Sequence, residues 1–100
     1  MSWTVGLVPW LRPWALALRR AHPGLRVTSV YRSYGEQLRL WNNRANNPYP
    51  VSPPGRSKHE QRRAFDMVGP RSLLRAAGAT WESWGGTWGG RFRDEIHFEG

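Results

Sequence analysis

Two short polar segments place the strongest constraint on how this 100-residue chain can fold. The first contains His59 and Asp66, seven residues apart, and the second contains Asp94 and His97, three residues apart. These are the only two aspartates of the chain and two of its three histidines. Asp66 interrupts a short apolar strand predicted over residues 64–68, and a lone carboxylate in such surroundings requires a partner. The fold must therefore bring a partner to it.

A metal ion would be one such partner. Two neutral imidazoles and one carboxylate are a typical set of protein ligands for a catalytic zinc, which keeps its fourth position for water. The chain has no cysteine, so neither a thiolate site nor a disulfide framework is available. The alternative on spacing alone is a histidine–aspartate hydrogen bond at the surface.

Composition sets wider limits on size and partners. A chain of this length is one small domain, residues 1–100, that buries about two-thirds of its unfolded surface. Its net charge of +8 favours polyanions, either nucleic acid or the phosphate-bearing polymers of a bacterial envelope, unless the arginines only form a solvated face. Seven tryptophans serve core packing by default, although indole rings also stack on sugars and bases.

The pattern of apolar residues and turn signals predicts an α+β domain. We expect helices on one face of a small antiparallel sheet and the site on the other face. Glycine at position 78 is expected to close the third helix. The predicted elements are a helix over 13–21, a strand over 25–32, a helix over 34–46, a proline-rich loop over 47–56, a strand over 64–68, a helix over 71–77, a strand and glycine turn over 81–88, and a strand over 95–99.

Three segments in this order resemble the motifs of zinc peptidases that cut the stem peptides of bacterial cell walls. Ser57, His59, Ala64 and Asp66 match the pattern Ser-x-His-x-x-Gly-x-Ala-x-Asp, and Arg62 stands where that pattern has glycine. The family includes D-alanyl-D-alanine carboxypeptidases of the vancomycin-resistance type and L-alanyl-D-glutamate endopeptidases of phage endolysins, distant relatives of the hedgehog signalling domain.

The two flanking segments extend this resemblance over most of the chain. Upstream, residues 29–33 (Ser-Val-Tyr-Arg-Ser), with Glu36, Gln37 and Leu40 behind them, are similar to the family's Ser-Gly-Tyr-Arg-Ser segment and helix. Downstream, Trp-Gly-Gly-x-Trp over residues 84–88, before Asp-x-x-His-Phe over 94–98, is similar to the endolysin branch.

The resemblance implies a role for each matching residue. Zn²⁺ is held by His59, Asp66 and His97, and it makes water acidic enough to supply hydroxide at neutral pH. The other implied roles are Asp94 as the catalytic base, Arg32 at the oxyanion, and Ser57, Tyr31 and Trp84 at the substrate. Strand alternation would instead favour Glu95 as the base, because it points to the same face as His97. We follow the resemblance, which requires the chain to be still turning at Asp94.

The arginine at position 62 is the main departure from the pattern. A glycine there indicates a backbone conformation or a close approach that a side chain disfavours. A strained arginine costs about 1–3 kcal/mol. It is either tolerated, in contact with substrate, or the mark of an inactive descendant, and the intact ligand set favours activity.

The resulting hypothesis is a zinc metallopeptidase acting on bacterial peptidoglycan, as an L-alanyl-D-glutamate endopeptidase. The alternatives are a D-alanyl-D-alanine carboxypeptidase and an inactive wall-binding module. No nucleic-acid motif is present, so no nucleic-acid partner is expected. We expect a monomer without a signal peptide or membrane span, made in the cytoplasm and acting on the wall after release or as a component of a phage virion.

Overall fold

Residues 2–100, described in a computed structural model, form three α-helices, four strands and several 3₁₀ turns. The strands make one antiparallel sheet in the order β1-β2-β4-β3, which confirms the predicted α+β class. None of the helices in these residues is long and apolar enough to cross a bilayer. The elements are α1 (Arg12–Ala21), β1 (Arg26–Ser29), α2 (Tyr34–Asn42), β2 (Ala64–Val68), α3 (Arg71–Ser83), β3 (Thr87–Trp88) and β4 (His97–Glu99).

The register of the two central strands separates the core from the site. In the pairing of β2 with β4, Phe65 lies opposite Phe98 and Asp66 lies opposite His97. Successive side chains of a strand point to opposite faces of the sheet. The two phenylalanines therefore share one face, and the aspartate and histidine share the other.

Helices α1 and α3 cover the phenylalanine face, as predicted. The Phe65 ring stacks on Phe98 at 5.5 Å between centroids and meets the Trp81 ring edge-on at 5.4 Å. Leu18 of α1 is fully buried in the same cluster. Complete burial of such a side chain stabilises the fold by about 1.5–3 kcal/mol. This core holds β2 and β4 in the register that presents the opposite face.

The two N-terminal prolines fit the helix boundary that the sequence predicts. Pro9 begins a separate 3₁₀ helix, Pro9–Leu11, and Pro13 occupies the first turn of α1, where a missing N–H removes no helical hydrogen bond. Helix α2 begins with a capping box, in which Ser33 and Glu36 exchange side-chain and backbone hydrogen bonds. It ends at Asn42, earlier than predicted, and a 3₁₀ turn covers residues 44–46.

The prediction that Gly78 closes the third helix is wrong. Helix α3 continues to Ser83, and Gly78 is buried within it. A Cβ there would lie 2.2 Å from Cδ2 of Trp88, so the glycine makes room for the indole ring. The predicted strand from residue 81 is wrong for the same reason, since residues 81–83 are still helical. The chain turns at Gly85, with φ of 95°, before the two-residue strand β3.

Candidate metal centre

Three side chains converge on the open face of the sheet. One ligand atom from each of His59, Asp66 and His97 lies within 4.8 Å of the other two. Asp66 comes from the middle of β2 and His97 from the first position of β4, directly opposite. His59 comes from the turn before β2. The fold thus assembles the predicted ligand set from two paired strands and one adjacent loop.

The orientation of His59 is fixed by the backbone of the segment after β1. Its Nδ1 lies 2.6 Å from the carbonyl oxygen of Val30. A carbonyl oxygen only accepts, so Nδ1 carries the proton and donates. In the neutral ring, Nε2 is then left with a lone pair, and it faces Oδ1 of Asp66 at 3.2 Å. The residue His59 is only 2% exposed, so its ring has little freedom to turn away from Asp66.

His97 is oriented in the same manner by a carboxylate. Its Nε2 donates to Oε1 of Glu99 at 2.9 Å, and its Nδ1 faces Oδ1 of Asp66 at 3.4 Å. Both neutral rings therefore direct a lone pair at the same carboxylate oxygen. Three acceptors in contact require a proton or a cation between them. This donor set, with outer hydrogen bonds that fix each ring, fits a metal ion such as zinc.

The pKa values of Asp66 and His97 are shifted in the directions expected where a proton or a cation must lie between these groups. Burial alone would raise the pKa of Asp66, but hydrogen bonds from His59 and His97 outweigh it and hold the pKa far below its usual range. Burial would lower the pKa of His97, yet its hydrogen bonds to Asp66 and Glu99 leave that pKa raised. In the absence of a metal, a proton is thus favoured on His97 and kept off the carboxylate of Asp66.

Arg32 supports the second oxygen of Asp66. Its Nη2 donates to Oδ2 at 3.0 Å, Nη1 donates to Oε1 of Gln37 at 3.0 Å, and Nε donates to Oγ of Ser29 at 3.1 Å. The guanidinium also lines the cleft beside the metal centre. Three fixed hydrogen bonds make it a rigid positive charge at that place.

Gln37 is a site residue whose contacts the sequence does not predict. It is 1% exposed, accepts from Arg32, and donates from Nε2 to the carbonyl oxygen of Ser52 at 2.8 Å. It thereby ties helix α2 and the arginine to the proline-rich loop. The one signal for burial of Gln37 in the sequence is its position as a polar residue among the apolar residues of the predicted helix.

The structure places Asp94, and not Glu95, in the cleft. Asp94 lines the cavity with the three ligands, and burial raises the pKa of its carboxyl group above the usual range. Glu95 pairs instead with Arg71, with 3.0 Å between Oε2 and Nε. The predicted strand over residues 95–99 begins only at His97, whose N–H donates to the carbonyl of Asp94 across a turn. Strand alternation therefore does not apply at Asp94.

The cleft has a volume of about 370 Å³ and is bounded by the proline-rich loop, the turn after it, and the segment before β4. Two cations, Arg56 and Lys58, line it in addition to Arg32. Neither forms an ion pair with a carboxylate of residues 2–100. The cleft thus combines an acidic metal centre with free positive charge, an arrangement suited to an anionic substrate.

Of the three residues predicted to contact substrate, only Ser57 lines this cleft. It is buried, and its Oγ accepts from the backbone N–H of His59 at 3.2 Å, which helps to hold the turn that carries His59. Tyr31 lines an adjoining groove. Trp84 lies elsewhere, in an apolar notch with Trp14 at 6.0 Å between ring centroids. The structure does not bring Trp84 to the cleft.

Arg62 adopts the left-handed conformation, with φ of 59°, at the position where the motif has glycine. Its guanidinium stacks over the Tyr31 ring, 4.1 Å from the centroid. Its carbonyl accepts from the N–H of Val8 at 2.9 Å. The side chain therefore contacts Tyr31 and does not line the metal cleft.

Comparison with known proteins gives a structural match only. No described protein family matches the sequence, and no curated protein matches it significantly. The solved structures that are similar in fold include a mutant of the vancomycin-resistance D,D-pentapeptidase VanY, from a VanB-type resistance cassette, in complex with Zn(II). The TM-score is 0.70 at 16% identity, over 93% of this chain and 71% of that chain. This agrees with the peptidase-like fold that the motifs imply.

Proposed function

We propose that this chain is a zinc-dependent peptidoglycan hydrolase that cuts the stem peptide as an L-alanyl-D-glutamate endopeptidase. The observation that carries the proposal is the convergence of lone pairs from His59 and His97 on Oδ1 of Asp66, which calls for a cation. The similar fold of a Zn(II)-bound cell-wall peptidase supports zinc as that cation. We place its action at the wall, after release or within a virion, as a monomer.

His59, Asp66 and His97 would hold the zinc ion. Zinc, when bound, supplies Lewis acidity that makes water nucleophilic near neutral pH. Asp94 accepts a proton at its carboxylate and later donates it to the leaving amine. Its raised pKa suits this exchange, because burial brings the carboxyl group closer to the pH at which it must both take and give a proton.

Arg32 presents a fixed positive charge next to the same centre. Because Ser29, Gln37 and Asp66 hold the guanidinium in place, little reorganisation is needed when negative charge develops on the substrate carbonyl oxygen. The remaining N–H groups of Nη1 and Nη2 are available to that oxygen, since each of these nitrogens carries two hydrogens. Arg32 thus both positions a ligand and stabilises the reacting carbonyl.

A D-alanyl-D-alanine carboxypeptidase is the second candidate. Its substrate ends in a carboxylate, and Arg56 and Lys58 are cleft cations without an ion-pair partner among the described residues. The VanY similarity also favours this candidate. The endolysin-like segments around Trp84 and Asp94 favour the endopeptidase.

Digestion of purified peptidoglycan by zinc-loaded protein tests both candidates. Mass spectrometry of the products is expected to find new D-glutamate amino termini. Release of free D-alanine alone would replace the endopeptidase by the carboxypeptidase. Zinc content is measured on the same preparation and on Asp94→Asn, which is expected to keep one zinc per chain while losing hydrolysis. A protein that takes up no zinc would refute the proposal as a whole.

A further inference from the structure

A second concavity runs along the free edge of β1 and over helix α2. It is lined by residues 28–31 on one side and by Arg39, Asn43 and the segment 46–49 on the other. Within residues 2–100, strand β1 pairs only with β2, so its outer edge is open to this groove. The volume is about 840 Å³, more than twice that of the metal cleft.

The groove and the cleft are continuous. Arg32, Leu40, Asn47 and Tyr49 line both of them. A substrate whose reacting bond lies at the metal centre therefore extends directly into the groove. The groove has room for a group that is bulkier than a single amino-acid residue.

The side chains of the groove have the chemistry of a sugar-binding surface. Arg39 makes no side-chain hydrogen bond within residues 2–100, so its donors are free. Asn43 and Asn46 bond each other through one amide hydrogen at 2.6 Å, which leaves other amide donors and an acceptor available. The exposed ring of Tyr49 offers an apolar face beside them. Planar donors and acceptors next to an aromatic face suit hydroxyl and acetamido groups on a flat ring.

We infer that this groove binds the N-acetylated amino sugar to which the stem peptide is attached. The inference rests on the proposed endopeptidase function, because the first bond of the stem peptide lies one residue from the sugar. The sugar then occupies the groove while the peptide lies in the cleft. Recognition of the sugar would direct cleavage to the first peptide bond of the stem.

Two substrates that differ only in the sugar test this inference. The zinc-loaded protein is assayed on a free stem tetrapeptide whose amino terminus is acetylated, so that it carries no charge, and on the same peptide joined to its disaccharide. We expect kcat/KM to be at least about tenfold higher with the disaccharide. The double variant Arg39→Ala/Asn43→Ala is expected to lose most of this advantage, about fivefold or more, and to keep its rate on the free peptide.

The control is Arg44→Ala, which removes the same charge from a residue outside both cavities. It is expected to keep the full preference for the disaccharide substrate. Circular dichroism and zinc content confirm that each variant is folded and loaded. Binding of both ligands to the Asp94→Asn protein, followed by calorimetry, provides a second measurement that does not depend on turnover.

Equal kcat/KM and equal affinity for the two substrates would overturn the inference and leave the proposed hydrolase intact. A peptide extended by further residues, without sugar, that matches the disaccharide substrate would assign the groove to peptide and also overturn it. Absence of cleavage, with tighter binding of the disaccharide ligand by Asp94→Asn, would refute the proposed function and support the assignment of the groove to the sugar. Loss of the preference in Arg44→Ala would show a general charge effect and would count against the groove.

Discussion

The turn at Arg62 offers a quantitative test of the backbone around the metal centre. Its φ of 59° is left-handed, a conformation that costs a residue with a side chain about 1–2 kcal/mol. Glycine removes this strain, but it also makes the unfolded chain more flexible, which lowers the free energy of unfolding by about 0.4–1 kcal/mol. We therefore expect Arg62→Gly to exceed Arg62→Ala by about 0.5–1 kcal/mol in free energy of unfolding.

The arginine side chain offsets part of its own strain. Its guanidinium lies 4.1 Å from the centroid of the Tyr31 ring, which is 42% exposed. A cation–π contact at such a site stabilises by about 0.5–1 kcal/mol. Arg62→Ala loses this contact and keeps the strain, so it is expected to be less stable than the wild type by that amount. In Arg62→Gly the two effects nearly cancel, and its stability is expected within about 0.5 kcal/mol of the wild type.

Urea unfolding of the metal-free proteins, followed by tryptophan fluorescence, measures these differences. Arg44 is the matched control, because its guanidinium stacks on Trp41 at 3.9 Å while its backbone lies in a 3₁₀ helix. There the order is expected to reverse, with Arg44→Ala more stable than Arg44→Gly. If Arg62→Ala were as stable as Arg62→Gly, the left-handed strain would be refuted. The motif's glycine would then need another explanation.

Three further predictions concern the site. Asp94→Asn is expected to lower kcat at least about 100-fold without loss of zinc, whereas Glu95→Gln changes it less than about twofold, and the opposite order in a steady-state assay would make Glu95 the base. Gln37→Met, similar in shape but without the bonds to the arginine and the loop, is expected to weaken zinc binding about tenfold in a chelator competition; an unchanged Kd would contradict the coupling. The third prediction concerns the pH dependence of stability in the metal-free protein. The lowered pKa of Asp66 stabilises the fold above pH 3.8, the ordinary pKa of the group, and this stability is lost as the pH falls further. The raised pKa of His97 stabilises the fold fully below pH 6.5, the ordinary pKa of that group, and this stability is lost as the pH rises through the pKa of the folded state. Zinc takes the place of the proton, so urea midpoints of the zinc-loaded protein are expected not to fall on that alkaline side.

Local signals in the sequence predict much of the fold. The apolar segment over residues 64–68 gives the bounds of β2, and the prolines at positions 9 and 13 give the start of α1 to within one residue, because their effects act within a few residues. The end of α3 could not be predicted in this manner. A buried glycine inside a helix and a glycine that ends one look alike until the indole of Trp88, ten residues later in the chain, is placed against it.

In the candidate site, too, local sequence signals predict some residues, and tertiary packing determines the others. The ligand residues are predictable because spacing and resemblance mark each of them separately. Whether Asp94 or Glu95 faces the cleft depends on where β4 begins, and the turn over residues 94–97 places Asp94 there. The partners of Gln37 are set by packing between α2 and the loop at Ser52, which no periodicity reveals. Trp84 matches a motif, yet tertiary packing takes it to the notch with Trp14.

The pairing of β2 with β4 also determines which changes in length the chain can accumulate during evolution. One residue inserted or deleted within β4 would exchange the sides of His97 and Phe98, so a single event would remove a ligand and expose an aromatic ring. Changes of the same size in the loop over residues 47–56 leave that alternation unaltered. Diversification of substrate preference is therefore expected to proceed by variation of loop length, while the three-residue strand β4 keeps a constant length among active descendants.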